Sequence, residues 1–329
     1  MFKGVVLHEG GVHEHTEQAV VAEQHGFDSV WVTEVHGPDV VTVLTAASAK
    51  TKRVTRGTGI SPIYIRDPYL AATTFGALHE YSSGRMIAGF GVSTPAIVTN
   101  WHGQNWSKPL ASMREYVELF RKLTAGERLK HNGLFQTVGG PARPISEPVI
   151  PVFIGALGNQ MLELAGEIAD GIILNFPTVS ASKKAIQAIE RGLHKVKRER
   201  KEIRITAFLR TVIHNDYEIA AAPLKQELLN YFMAPVYEQL FREDGYEEDC
   251  DLFLQRWNAR ERDQAINGIS ERMIRDHAIV GQTPEECRDL AAAFKAAGVD
   301  ELILYPIAPS DAPDEQQAIL QTTRLLSNQ

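Results

Sequence analysis

Short apolar runs alternate with amphipathic segments along most of this 329-residue chain, and this alternation limits the folds that it can adopt. Each run has the length of a buried strand, and the segment after it repeats its apolar residues at helical spacing. Parallel strands need such crossover helices, because each strand must start at the same edge of the sheet as the one before it. The pattern therefore predicts an α/β protein with a parallel sheet.

Eight strands and the helices between them can be placed on the sequence. The strands are predicted at 2–8, 30–33, 54–60, 86–90, 152–154, 172–174, 205–213 and 301–305. The helices are predicted at 13–25, 40–49, 69–81, 110–123, 161–169, 182–200 and 284–297. Eight units in parallel order indicate a (β/α)8 TIM barrel. A doubly wound open sheet is the alternative fold.

Two stretches interrupt this order. A connection rich in Gly and Pro covers 129–151, and residues 216–282 have a helical pattern that is too long for one crossover. We interpret the second stretch as an insertion near the C-terminus. The whole chain, 1–329, is then predicted to be a single barrel domain.

Composition excludes several classes of protein. The net charge is −7, and no run of Lys and Arg is dense enough to follow a phosphate backbone, so nucleic acid is not an expected partner. No apolar run is long enough to span a membrane. The cysteines, Cys250 and Cys287, have no CxxC or Cys/His spacing, which indicates a reduced, cytoplasmic protein without a metal site.

Active-site side chains of a barrel of this kind are expected after the carboxyl ends of its strands. That rule selects polar residues and glycines that directly follow the predicted strands. They are His8, Glu34, His36, Gly91, Ser93, Thr94, His102, Gly155, Asn175 and the stretch 57–68, "GTGISPIYIRDP".

The loop from Gly155 to Gly158 suits a phosphate group. Glycines allow a ligand to approach the backbone closely, and the start of the next helix offers free N–H groups and a positive dipole end. A loop that only has to turn between a strand and a helix would also need these glycines. The loop alone does not distinguish a phosphate site from a simple turn.

The sequence "HEHTE", residues 13–17, contains the His-x-His pair that some barrel hydrolases use for metals. It lies past the first strand at the start of a helix, and no second pair of histidines follows a later strand. Capping and first-turn acids explain it better, so no metal site is predicted.

Several segments taken in order resemble the bacterial-luciferase-like oxidoreductases, which use a flavin or the deazaflavin coenzyme F420. The resemblance covers most of the chain and is closest to the F420-dependent branch. It lies in "AEQHGFDSVWVTEVH" (22–36), "GTGISPIYIRDPYLAATTFGALHEYSSGRMIAGFGVS" (57–93), "KPLASMREYVELFRKLTAGE" (108–127) and "PVFIGALGNQMLELAGEIADGIILN" (151–175).

The resemblance implies a homodimeric barrel enzyme that transfers hydride between F420 and a small organic substrate. It also implies a non-prolyl cis peptide between Gly59 and Ile60 that backs the cofactor ring. The residues it assigns to cofactor binding are Glu34, Gly59, Ile60, Ser61, Gly91, Ser93, Thr94, Gly155, Ala156, Leu157, Gly158 and Asn175.

Catalytic roles are expected at Glu34, His36 and His102. His36 departs from the family pattern, because Val35 separates it from the acidic residue that the histidine usually follows. Two other functions stay open on the sequence. One is a monooxygenase that uses reduced FMN, and the other is a protein without catalytic activity that binds a flavin or another phosphorylated ligand.

Overall fold

The computed structural model describes residues 2–141, 144 and 148–327. Its strands, in chain order, are β1 (Phe2–Leu7), β2 (Ser29–Val32), β3 (Thr55–Thr58), β4 (Ser61–Pro62), β5 (Met86–Gly91), β6 (Leu129–Asn132), β7 (Gln136–Gly139), β8 (Val152–Gly155), β9 (Gly171–Asn175), β10 (Arg204–Ile213), β11 (Ala278–Gly281) and β12 (Glu301–Pro306).

The helices of the described residues lie between these strands and after the last one. They are α1 (Val12–Gln24), α2 (Val40–Lys50), α3 (Pro68–Tyr81), α4 (Pro109–Thr124), α5 (Asn159–Ile168), α6 (Val179–Lys195), α7 (Tyr217–Phe232), α8 (Pro235–Glu243), α9 (Glu247–Asn258), α10 (Arg262–Asn267), α11 (Glu271–His277), α12 (Pro284–Ala296) and α13 (Glu315–Leu325). A π-helical turn covers Ala96–Trp101, and a 3-10 turn covers Arg200–Glu202.

Parallel pairing closes the sheet into a barrel. The order is β1-β2-β3-β5-β8-β9-β10-β12, and β12 pairs again with β1, so the barrel has eight strands. The (β/α)8 fold predicted from the sequence is confirmed, and the doubly wound sheet is excluded. Two strands lie beside the barrel ladder: β4 pairs with β5, and β11 pairs with the last residues of β10.

Apolar side chains fill two regions. One lies between the strands and the surrounding helices, and includes Phe75, Phe90 and Phe120. The other fills the barrel interior around Trp31 and Phe208 and continues under α7 to α11. Because parallel strands bury both faces, the strands are apolar almost throughout, which is why the sequence shows them as continuous runs.

Helix starts follow the local sequence. Asp67 accepts hydrogen bonds from the N–H groups of Tyr69 and Leu70, and Pro68 is the first residue of α3. This arrangement explains the last two residues of the stretch 57–68, since an acidic cap followed by proline starts a helix.

Two predicted elements have different bounds in the structure. The third strand ends at Thr58 rather than residue 60, and pairing with β5 resumes only at Ser61. The helix predicted at 182–200 is α6, which starts earlier because Thr178 caps it and ends at Lys195. After α6 the Arg198 guanidinium donates to the carbonyls of Gly166 and Ala169, which turns the chain toward β10.

The two irregular stretches contain more structure than predicted. Part of the 129–151 connection is the antiparallel hairpin β6–β7, whose alternating polar residues gave no apolar run, and 142–143 and 145–147 of it lie outside the described residues. Residues 216–282 form α7 to α11 and then β11. That they are an insertion in a single domain stays a prediction. None of the helices in the described part of the chain is long and apolar enough to cross a bilayer.

Candidate active site

A hydrophobic platform lies in the mouth of the barrel, at the carboxyl ends of the strands. The Gly59–Ile60 peptide is cis, as the resemblance predicts. The Ile60 side chain is half-buried and lies over Gly91 and Gly155, the last residues of β5 and β8. A Cβ atom would lie 2.5 Å from Ile60 at Gly91 and 2.8 Å from it at Gly155. Only glycine at both positions therefore leaves Ile60 this place. We call these three residues the platform.

Glu34 connects the end of β2 to the platform. Its N–H group donates to the Ile60 carbonyl at 3.3 Å. Its carboxylate accepts from the Ser61 hydroxyl at 2.6 Å and from the Arg66 guanidinium at 2.7 Å. The Glu34 side chain is only 14% exposed, so these partners hold both carboxylate oxygens. The arrangement fits a residue that positions the platform better than it fits a free base.

Arg66 links this carboxylate to a second one. It donates to Asp39 at 2.5 Å, and Asp39 also caps α2 by accepting from Thr42. Burial opposes the charge of Arg66, but the hydrogen bond and charge of Glu34, followed by those of Asp39, raise its pKa. Arg66 was not predicted as a site residue, although its place in the loop after a barrel strand indicates one.

His36 and His102 lie on the exposed rim of the mouth. The His36 ring packs against Trp101 with 4.9 Å between the ring centroids. Trp101 is itself 52% exposed, so this pair forms a part of the surface that a ligand can reach. His102 follows the π-helical turn. Among the described residues neither histidine is hydrogen-bonded to Glu34, and the catalytic roles of these three residues stay a prediction.

Ser93 and Thr94 follow Gly91 and are half-buried. Ser93 has a φ of 55°, in the left-handed region, which turns the chain away from β5. The loop is fastened farther on, where the Trp106 indole donates to the Val92 carbonyl at 3.0 Å. Both hydroxyl residues thus lie in the loop that leaves Gly91 of the platform, and their role in cofactor binding stays a prediction.

The Gly155–Gly158 loop joins β8 to α5. Ala156 is 2% exposed, whereas Gly158 is exposed and begins α5 without a side-chain cap. The first N–H groups of α5 are therefore free of a side-chain acceptor, which suits an anion at this end of the helix. This geometry agrees with a phosphate-holding role for residues 155–158.

Asn175, the last residue of β9, belongs to a polar cluster that the sequence did not predict. Its side-chain oxygen accepts from Arg210 at 2.6 Å, and its NH2 group donates to Tyr231 at 3.1 Å and to Tyr237 at 2.9 Å. We call Asn175, Arg210, Tyr231 and Tyr237 the arginine–tyrosine cluster. A charged residue in the apolar run "ITAFLRTVI" was the one signal for it.

Arg210 also contacts aromatic side chains at the ends of β12 and β1. Its guanidinium lies 4.1 Å from the centroid of the Tyr305 ring, and that ring lies 4.5 Å from the ring of His8. The Nε2 atom of His8 contacts the Pro306 carbonyl. Polar and aromatic side chains thus cover the ends of β9, β10, β12 and β1.

The histidines of "HEHTE" lie in the first turns of α1. The Glu14 carboxylate accepts from the N–H of Gly11, and His15 is bonded to the Gly11 carbonyl. The capping interpretation is confirmed. Within the residues that the structure describes, no group of three His, Cys, Asp or Glu side chains is arranged to hold a metal ion.

A closed parallel barrel with a hydrophobic platform and converging polar side chains at its carboxyl ends defines the class: a TIM-barrel protein with an enzyme-like site. The chain belongs to the luciferase-like monooxygenase family, whose model matches residues 2–301. The family resemblance found in the sequence is therefore confirmed.

Two relatives and one solved structure show which kinds of family member this chain is similar to. A Mycobacterium tuberculosis protein provisionally named a coenzyme F420-dependent oxidoreductase is 31% identical, over 88% of this chain and 90% of the relative. The 5,10-methylenetetrahydromethanopterin reductase of Methanolobus tindarius is 29% identical, over 89% and 90%. The F420-dependent tetrahydromethanopterin reductase structure from Methanopyrus kandleri superposes with a TM-score of 0.82 at 24% identity, covering 99% and 98%.

Proposed function

We propose that this protein is an oxidoreductase that binds coenzyme F420 at the mouth of the barrel and transfers hydride to or from a small organic substrate. The platform carries the proposal. Ile60 presents an apolar surface that only the glycines at 91 and 155 make possible, and a planar ring needs such a surface to lie on. The names of the relatives support the deazaflavin as the ring that occupies it.

The residues present fit such a cofactor. Glu34 donates to the Ile60 carbonyl and accepts from Ser61, Ser93 and Thr94 offer hydroxyls in the loop after Gly91, and Asn175 ends the strand that pairs with β8. Gly155 to Gly158 and the start of α5 would hold the phosphate of its tail.

A bound deazaflavin supplies or accepts the hydride, and the protein contributes binding, orientation and exclusion of water. We assign Glu34 a positioning role, because Arg66 and Ser61 already hold its carboxylate. We assign His36 and His102, which are both exposed, contacts with the part of the substrate that projects from the mouth.

A titration of the purified protein with F420 and, separately, with FMN tests the proposal through quenching of cofactor fluorescence. We expect saturable binding of F420. Binding of FMN alone would favour the monooxygenase alternative, and binding of neither would favour a protein without this catalytic activity.

Two further properties stay predictions. A homodimer, which the family resemblance implies, would have twice the 36.5 kDa mass of the chain in sedimentation. The unpaired buried thiols of Cys250 and Cys287 are compatible with a cytoplasmic location.

A further inference from the structure

Arg210 is a buried cation at the site, and its environment is built from aromatic rings and hydroxyl groups. The residue is 2% exposed and lies on β10 in register with Tyr305 of β12. Its guanidinium lies 4.7 Å from the centroid of the Phe176 ring, and it donates to the Tyr231 hydroxyl at 2.5 Å. Burying a charge is unfavourable unless it is paired, so this arrangement needs an explanation.

The hydrogen atoms of the cluster can be assigned. An arginine can only donate, so the Asn175 side-chain oxygen accepts from Arg210 and its NH2 group points to the tyrosines. The Tyr231 oxygen then accepts two hydrogen bonds, one from Arg210 and one from Asn175. Both lone pairs are used, and the Tyr231 O–H can therefore act only as a donor.

The charge of Arg210 is already balanced. The carboxylate of Glu227, from the same helix as Tyr231, lies 3.5 Å from Arg210 Nε. Burial opposes the charge of Arg210, but Tyr231 and then Glu227 raise its pKa, so it stays a cation. Burial likewise raises the pKa of Tyr231, which keeps its proton. The cluster thus offers neutral hydrogen-bond donors rather than a net positive charge.

The cluster lies next to the platform. Asn175 is in register with Phe208, and a Cβ atom at Gly59 would lie 2.5 Å from the Phe208 ring. Tyr231 and Tyr237 are half-buried, and their hydroxyls contact Asn175 at the carboxyl end of β9, the strand that pairs with β8 of the platform. A molecule that lies on the platform would meet these hydroxyls at its edge.

We infer that the arginine–tyrosine cluster binds the oxygen of a neutral carbonyl substrate, or of the corresponding alcohol, and that Tyr231 supplies the proton to that oxygen. This inference rests on the proposed function, because the hydride comes from the cofactor. An uncharged oxygen is favoured over a carboxylate or phosphate because Glu227 already neutralises Arg210.

In the direction of reduction, the substrate carbon takes the hydride of a reduced deazaflavin and forms a C–H bond. The π electrons of the carbonyl move to its oxygen, which takes the proton of Tyr231. Arg210 stabilises the resulting tyrosinate until a proton from water restores it. The carbonyl thus gains two electrons and two protons in total, as a hydride and the Tyr231 proton. A reduced deazaflavin would lose its ring N–H proton to water, which balances the proton that restores Tyr231.

The test uses the protein loaded with oxidised F420, which prevents turnover, and cyclohexanone labelled with ¹³C at its carbonyl. The bound ketone should show an infrared carbonyl band at lower frequency than in water-free solvent, because the cluster donates to it. Tyr231→Phe should lose most of this shift and weaken ketone binding about tenfold, the loss of one hydrogen bond. Tyr217→Phe is the matched control on the same helix, since the Tyr217 hydroxyl has no partner among the described residues. It should behave like the wild type.

Different failures have different meanings. A protein that does not bind F420 contradicts the proposed function itself. A protein that binds F420 but not cyclohexanone, or that leaves its carbonyl band unshifted, overturns the inference alone, and this result needs only the wild type. Equal shifts in wild type and Tyr231→Phe, or tighter binding of cyclohexanecarboxylate than of cyclohexanone, also overturn it.

Discussion

Ile60 is the residue on which the candidate site depends, and its position is tested by adding one methyl group beside it. In Gly155→Ala the new Cβ would lie 2.8 Å from Ile60 and push that side chain into the mouth. We expect F420 affinity to fall about tenfold, since overpacking of this kind costs about 1–3 kcal/mol. Fluorescence titration gives the affinity of each variant.

Gly37→Ala is the matched control for this experiment. Gly37 lies in the loop after β2, and a Cβ atom there would meet no atom within 4 Å. Its F420 affinity should equal that of the wild type. Equal affinities of Gly155→Ala and wild type would show that the cofactor does not lie on the platform.

The Glu34 carboxylate holds Ser61 and Arg66, and its charge can be removed without changing its shape. Glu34→Gln keeps the shape of the side chain but removes the charge that faces Arg66 at 2.7 Å. We expect the protein to lose about 1–3 kcal/mol of stability and to bind F420 several-fold more weakly, because Ser61 and the platform lose their anchor. Urea denaturation and cofactor titration measure the two effects.

Asp39→Asn separates this effect from a general loss of charge around Arg66. Asp39 also pairs with Arg66, but its side chain is 46% exposed and asparagine can still cap α2. This variant should change both quantities little. An equal loss in the two variants would contradict the special role of Glu34.

One carboxylate, that of Glu23, holds helix α1 to the start of β3. Glu23 accepts from the N–H groups of Lys52, Arg53 and Val54 at 2.9, 2.5 and 3.0 Å. Burial acts to raise the pKa of Glu23, but these backbone hydrogen bonds outweigh it, and the pKa is lowered from 4.5. The folded state thus prefers the ionised form.

A lowered pKa means that the stabilisation is present above pH 4.5 and is lost as the pH falls below it. We expect Glu23→Gln to reduce stability by about 1–3 kcal/mol at pH 7. The difference from wild type should shrink as denaturation is repeated at pH values toward and below 4.5. The exposed Glu17 lies on the same helix, and Glu17→Gln should change stability little at any pH. A stability difference between Glu23→Gln and wild type that stays constant with pH would show that the ionised Glu23 carboxylate does not hold α1 to the start of β3.

The crossing of α5 and α6 depends on close contact of their backbones. A Cβ atom at Gly192 of α6 would collide with the Glu163 carbonyl oxygen of α5. Alanine usually stabilises a helix relative to glycine by about 1 kcal/mol. Here we expect Gly192→Ala to destabilise the protein by about 2–3 kcal/mol, because backbone cannot move aside as a side chain can. Thermal or urea unfolding shows the sign.

Ser180→Ala tests an exposed position near the start of α6 and should change stability by less than about 0.5 kcal/mol. If Gly192→Ala proved as stable as wild type, the two helices would lie farther apart than the structure shows.

For the whole molecule, the barrel could be predicted from sequence because strands buried on both faces are visible as apolar runs. The hairpin β6–β7 could not, since its short strands lack that pattern. Strand β11 is apolar, but its run of four residues lies within a stretch that was interpreted as helical. The platform was found only through the family resemblance. The arginine–tyrosine cluster was missed because its members are far apart in the chain: Asn175 ends β9, Arg210 lies within β10, and Tyr231 and Tyr237 come from α7 and α8. Only the closed barrel brings them together.

The same closure makes cofactor binding a property of the whole molecule. The proposed site takes residues from the ends of β2, β3, β5, β8 and β9, which no local unit contains. F420 at 100 times its dissociation constant should therefore stabilise the entire fold by about 2.7 kcal/mol. For a chain of this length that is an increase of about 4 °C in melting temperature.

The variants proposed above should separate the site from its scaffold in this experiment. Gly192→Ala should lower the melting temperature but keep the increment given by F420, because the α5–α6 crossing is not part of the platform. Gly155→Ala should instead reduce the increment at the same F420 concentration, by up to about 1.4 kcal/mol for a tenfold weaker affinity. Differential scanning calorimetry with and without F420 measures both the melting temperature and the increment for each variant. An increment that vanishes in Gly192→Ala would mean that the cofactor binds between the outer helices rather than at the mouth of the barrel.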